Sequence, residues 1–292
     1  MDVSEIRRVL LHEMTATNER VDSWLESLEF GRPRPKHVAD PTFKTLPLRY
    51  VEIITSHFMV RESSNLCAML VLCREGLAVQ AQPILRANLE SAIDLRYIST
   101  NPQALITKWC LSEEALRHQY WRGMPEGDRP TDYGFGERST ANRLKLMERH
   151  TPKPNGKPWR LADLARDWDC SNLVTRDDSA CATLGEPEHR LYDIYKLLCG
   201  NLHGGTQAAN DFVVAHGDGK FEMVTGLRHR KLVFVPFFAL YSIDVAIRAA
   251  ERCGARHTEG LGPRWDSLGI TAADLPAAAS ADFAYAPPSH AV

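Results

Sequence analysis

Apolar residues recur at helical spacing along most of the chain, separated by short stretches that break the pattern. Residues 3–30 carry Ile6, Leu10, Met14, Val21, Leu25 and Leu28 with charges between them, which predicts an amphipathic helix. Three prolines and a glycine in GRPRPKHVADP (31–41) end it. A second helix is expected over 46–74, with Tyr50, Ile53, Ile54, Phe58, Leu66, Met69, Leu70 and Leu72. Glu75-Gly76 turns it into a third helix over 76–100, so these two run antiparallel. Asn101-Pro102 starts a fourth, over 103–122, holding Ile106, Trp109, Leu116 and Trp121. Residues 123–136 read as a loop, and shorter helices over 139–150 and 161–167 flank the turn sequence TPKPNGKP. Residues 167–187 carry no clear pattern.

Glu188 opens the next informative stretch, EHRLYDIYKLLCGNLH. Leu191, Ile194, Leu198 and Leu202 form one stripe of a helix, and Tyr195, Cys199 and His203 form a second. Gly204-Gly205 ends it. Residues 212–225, with His216-Gly217-Asp218-Gly219 in their middle, read as a small β-hairpin. Residues 228–253 read as the last core helix. Gly, Pro and Ala dominate much of the chain beyond residue 254. The expected fold is therefore mainly α: a multi-helix bundle with a small β-hairpin insertion and a flexible C-terminal tail. Residues 1–254 form a single helical domain and 255–292 an extended or partly disordered tail. No internal repeat is evident.

The third helix is the expected organiser. Arg86, Glu90, Asp94 and Tyr97 fall at i, i+4, i+8 and i+11 and share one side. Ile84, Leu85, Leu89, Ala92, Ile93 and Leu95 occupy an arc too wide for a surface helix. Charges on a central helix are costly unless paired, and Arg86 reaches Glu90 at i+4. The stripe is thus a structural ion pair, a polar site between helices, or a side that simply faces water. Pro83 should kink or restart this helix.

Composition narrows the class. With 44% hydrophobic and 25% charged residues in 292, the chain is an ordinary globular one, long enough for one large domain or two small ones. A net charge of −2 gives no global electrostatic case for nucleic acid. Seven cysteines without a CxxC pair read as reduced thiols of a cytoplasmic protein. No apolar leader comes after Met1, so no signal peptide is expected. The most apolar run, 232–247, is broken by Pro236 and Asp244 and is too short to span a membrane.

ILRANLESAIDLRYIS followed by Asn101-Pro102, taken with Tyr195-x3-Cys199-x3-His203, resembles a family of uncharacterised all-helical bacterial proteins. That family carries an R-x3-E helix and a later Y-x3-S-x3-H helix. Its architecture is similar to the HEPN helical bundles, many of which are ribonucleases of toxin and phage-defence systems. The resemblance covers roughly residues 45 to 250. It implies a bacterial defence or toxin component acting on RNA or nucleotide, without metal. Cys199 stands where the family has serine. HEPN ribonucleases use R-x4–6-H on one helix, and here Leu198, Leu197 and Lys196 stand five to seven places before His203. Any arginine must come from elsewhere, as Arg86 could.

If the two polar stripes face each other, His203 would act as general acid or base, Glu90 would orient it, and Arg86 would hold a phosphate. Tyr195, Cys199, Asn201, Asp94 and Tyr97 are the expected binding residues around them. The bland alternative is a buried polar network in a non-catalytic binding or assembly module. Cys199 as nucleophile is weighed against plain packing. Glu114-x3-His118 and Glu186-x2-His189 suggest a metal-dependent oxidase of the helical-bundle kind, but only one has the x2 spacing and Pro187 lies inside it. No metal site and no cofactor is expected. Arg228-His229-Arg230-Lys231 is weighed between phosphate contact and a solvated loop, and the loop is favoured because cations oppose the dipole at a helix start. Apolar faces on several long helices suggest a homodimer.

Overall fold

The structure, a computed structural model, describes residues 2–28, 48–103, 105–106, 109, 125, 194–195, 198–199, 213–215, 221–223 and 232–270. The expected helices over 139–150 and 161–167, the loop 123–136 except residue 125, and the chain beyond 270 lie outside them.

Helix α1, Val3–Ser27, begins where the Asp2 carboxylate accepts the Glu5 N–H at 2.7 Å. Such a cap satisfies a donor the first turn leaves open. Its apolar stripe of Ile6, Leu10, Met14 and Val21 is fully buried. Helix α2, Leu48–Arg74, ends at Gly76, whose φ of 76° an L side chain would resist. Gly76 N–H donates to Cys73 O and Leu77 N–H to Leu72 O, which closes α2 and turns the chain back. Arg7 of α1 donates to Cys73 O as well, at 3.1 Å. Helix α3, Ala78–Ile98, then runs antiparallel to α2. It passes through the exposed Pro83 without restarting, and the missing N–H there removes one i→i−4 bond, the one Val79 O would accept.

Helix α4, Phe234–Arg252, begins six residues later than the spacing suggests, with Pro236 in its first turn, where a missing N–H costs little. It packs on α1, α2 and α3 and is buried from Val235 to Ile247 on every side. The most enclosed helix is therefore α4 and not α3. The reason is composition: α4 carries one continuous apolar run, whereas α3 keeps the polar stripe that holds one side of it half-buried. After α3, Leu105 and Ile106 are buried and helical, and Trp109 packs on Phe58 with ring centroids 5.1 Å apart. Val213–Ala215 (β1) pairs antiparallel with Phe221–Met223 (β2), Val213 opposite Met223. Residues 216–220, the turn of the expected hairpin, lie outside the described residues.

The segment after α4 differs from its expected extended, loose state as far as Ile270. Leu261, Trp265, Leu268 and Ile270 are buried against the bundle. Trp265 Nε1–H donates to Asp244 of α4 at 3.2 Å, and Trp24 Nε1–H of α1 donates to Arg256 O at 2.9 Å. Burial of Trp265 and Leu268 outweighs the glycine and proline content that made the stretch look loose. The contact is tight: a Cβ at Gly262 would lie 2.9 Å from Asp244 Oδ1. Gly262→Ala is expected to cost about 1–3 kcal/mol in a urea melt, since that carboxylate is fixed by Trp265 and Arg248. An unchanged melt would mean the segment docks only loosely.

Candidate functional site

Ile194 and Leu198, one helical turn apart, are buried in the bundle core. That docking leaves Tyr195 and Cys199, the next residues round, half-buried at the rim and facing α3. From α3, Arg86 reaches across to both. Its Nη2–H donates to the Tyr195 hydroxyl at 3.0 Å and its Nε–H to Cys199 Sγ at 3.1 Å. The guanidinium carbon also lies 5.1 Å from the centre of the Tyr195 ring, within cation–π range.

That arrangement sets the electrostatics. The Cys199 bond, opposed by partial burial and helped by Tyr195, raises the Arg86 pKa above its ordinary value. Burial raises the Tyr195 phenol; the Arg86 bond opposes this, while the Cys199 bond and the negative charge of Glu90 add to it. Glu90 is thus close enough to act on the same phenol. The expected i, i+4 ion pair of Arg86 with Glu90 does not form. Arg86 turns to the neighbouring helix and takes two neutral acceptors there. Among the described residues no carboxylate pairs with its charge.

Asp94 and Tyr97 continue the same side of α3, half-buried and engaged with other groups. Asn201 and His203 lie outside the described residues, as do Glu114, His118, Glu186 and His189. Among the described residues no three His, Cys, Asp or Glu gather as metal ligands. No described helix is long and apolar enough to cross a membrane.

The helix pattern missed an interior polar set. Glu62 of α2 and Asn88 of α3 are fully buried, with Glu62 Oε1 and both Asn88 amide atoms lacking partners among the described residues. The signal was present: Glu62 sits on the stripe made by Met59, Leu66, Met69 and Cys73. Away from the Arg86 cluster, an open groove of about 600 Å³ runs between α1 and residues 257–264, lined by Trp24, His257, Leu261 and Arg264. It is the seam left where the C-terminal segment crosses α1.

Fold and site together define an α-helical bundle protein with an arginine-centred polar cluster where two helices meet. The chain belongs to the family of unknown function DUF5677, whose model matches residues 52–221, more than half of the 292. No curated protein and no solved structure matches it. The matched region holds α3 and the Tyr195–Cys199 positions, and leaves out α1 and α4.

Proposed function

We propose that the Arg86 cluster is a phosphate site for RNA or a nucleotide, in a HEPN-like helical protein of bacterial defence or toxin type. One observation carries the reading. Arg86 spends two donors on a phenol and a thiol, which leave its positive charge uncompensated at a half-open helix junction. A guanidinium so fixed is preorganised for a phosphate oxygen. In an RNA substrate Arg86 would neutralise the scissile phosphate. His203, four residues past Cys199 in the sequence, would take the proton of the ribose 2′-hydroxyl as that oxygen attacks phosphorus. The proton is then returned to the departing 5′-oxygen. Glu90 would orient His203. The hairpin around β1 and β2 and a cytoplasmic setting belong to this reading too.

Cleavage of single-stranded RNA by the full chain tests it. His203→Ala should abolish cleavage with an unchanged urea melt. Equal cleavage by the variant would remove His203 from the chemistry. A second reading rests on the same two bonds, which also strut α3 to the Tyr195 segment: a non-catalytic binding or assembly module. Under it Arg86→Ala would lower stability and no RNA would be cut.

A further inference from the structure

Glu62 of α2 is bonded at one carboxyl oxygen and not at the other. Its Oε2 accepts from the Ser242 hydroxyl of α4 at 3.2 Å, while its Oε1 is buried with no partner among the described residues. Asn88 of α3 is fully buried too, and neither its amide oxygen nor its amide nitrogen is bonded. The two side chains belong to one level of the bundle. Helices α2 and α3 run antiparallel about Gly76, with Glu62 fourteen residues before that glycine and Asn88 twelve after it. At about 1.5 Å per residue, the two stand about 21 Å and about 18 Å from the turn. Both helices also pack on α4, where Ser242 meets Glu62. Small side chains surround this level: Ala239 and Ala246 lie one turn either side of Ser242, and Ser91 and Ala92 follow Asn88, all of them buried. Protein interiors satisfy buried polar atoms of this kind with ordered water.

We propose that one internal water molecule is bound where α2, α3 and α4 meet, bridging Glu62 Oε1 and the side-chain amide of Asn88. The donors and acceptors on offer select water. With Oε2 taken by Ser242, a buried carboxyl that keeps its proton presents it at Oε1. Asn88 adds an N–H that needs an acceptor and a carbonyl oxygen that needs a donor. Water accepts twice and donates, and a single molecule can take both the N–H and the oxygen of one primary amide. A metal ion or an ammonium could accept neither proton. A fully charged anion could donate nothing to the amide oxygen. The bridge ties α3 to α2 at the level where Ser242 ties α2 to α4. Asn88 stands two residues from Arg86 and so on the other side of α3. The water site is therefore independent of the phosphate reading, and either can fail alone.

A crystal structure of the full chain, at a resolution that shows ordered solvent, tests the site directly. The expected result is density for one water within hydrogen-bond reach of both Glu62 Oε1 and the Asn88 amide. A direct bond between the two side chains, or no density between them, would overturn it. Urea melts supply a second test. Asn88→Leu removes two of the three bonds to the water, and its midpoint should fall. An unchanged or raised midpoint would mean that the amide sits unbonded among apolar side chains. Glu62→Met with Asn88→Leu should cost less than the two single changes added together, because no half of the bridge is then left behind. Strictly additive costs would show that the two side chains share no partner and would overturn the site as well.

Discussion

Glu13→Ala should lower stability by about 3 kcal/mol or more, because it strands a partly buried arginine and a backbone donor together. Glu13 is buried on α1, and its Oε1 accepts from Arg20 at 2.7 Å, from Arg264 N–H at 3.0 Å and from Thr17 at 3.2 Å. Arg20 in turn donates to Leu261 O and Gly262 O, so one carboxylate ties α1 to the C-terminal segment. Urea melts of the full chain measure the effect. Glu13→Gln, which keeps an acceptor oxygen and loses the charge, should fall between the variant and the original. A cost below about 1 kcal/mol for the alanine would place the pair in the class of weak surface bridges.

Stability should also fall as pH rises, through Glu62. This carboxyl is fully buried on α2, and burial lifts its pKa well above the ordinary glutamate range. The Ser242 hydroxyl, donating to Oε2 at 3.2 Å, and the charge of Arg61 oppose the shift without cancelling it. The folded chain thus keeps a proton that the unfolded chain gives up at its ordinary value. The contribution is complete below that ordinary value. It is lost as pH climbs through the raised one, by at most about 1.4 kcal/mol per pH unit. Glu62→Gln keeps the shape and the acceptor for Ser242 but has no proton to lose. Its advantage over the original chain should grow steadily from acidic to alkaline pH. A constant difference across that range would mean that Glu62 is ionised and solvated in the folded protein.

These two carboxylates show what periodicity could and could not reveal. The helices were legible because their apolar stripes are regular: α2 and α3 start within about two residues of the expected places and end at or near them, and α1 ends three early. The late start of α4 was not legible, since Leu232 and Val233 continue its apolar run while forming a turn. The side of α3 carrying Arg86, Glu90, Asp94 and Tyr97 was also readable from spacing. Where Arg86 points was not. An i+4 carboxylate and a distant phenol compete for one guanidinium, and only tertiary packing decides between them. Spacing alone has no view of that packing, which set Tyr195 and Cys199 beside α3 through the burial of Ile194 and Leu198. The docking of residues 255–270 escaped for the same reason, as single tryptophan and leucine anchors carry no period.

The central claim is that Arg86 offers its charge to a phosphate. It is tested most directly by titrating a fluorescently labelled single-stranded RNA against the full chain and its Arg86→Gln variant, and reading anisotropy at low and at raised salt. The expected result is saturable binding by the original chain that weakens with salt, and a loss of about tenfold or more in the variant, whose own salt dependence is shallower. Equal binding by the two proteins, or none by either, would contradict it and leave Arg86 as a strut between helices.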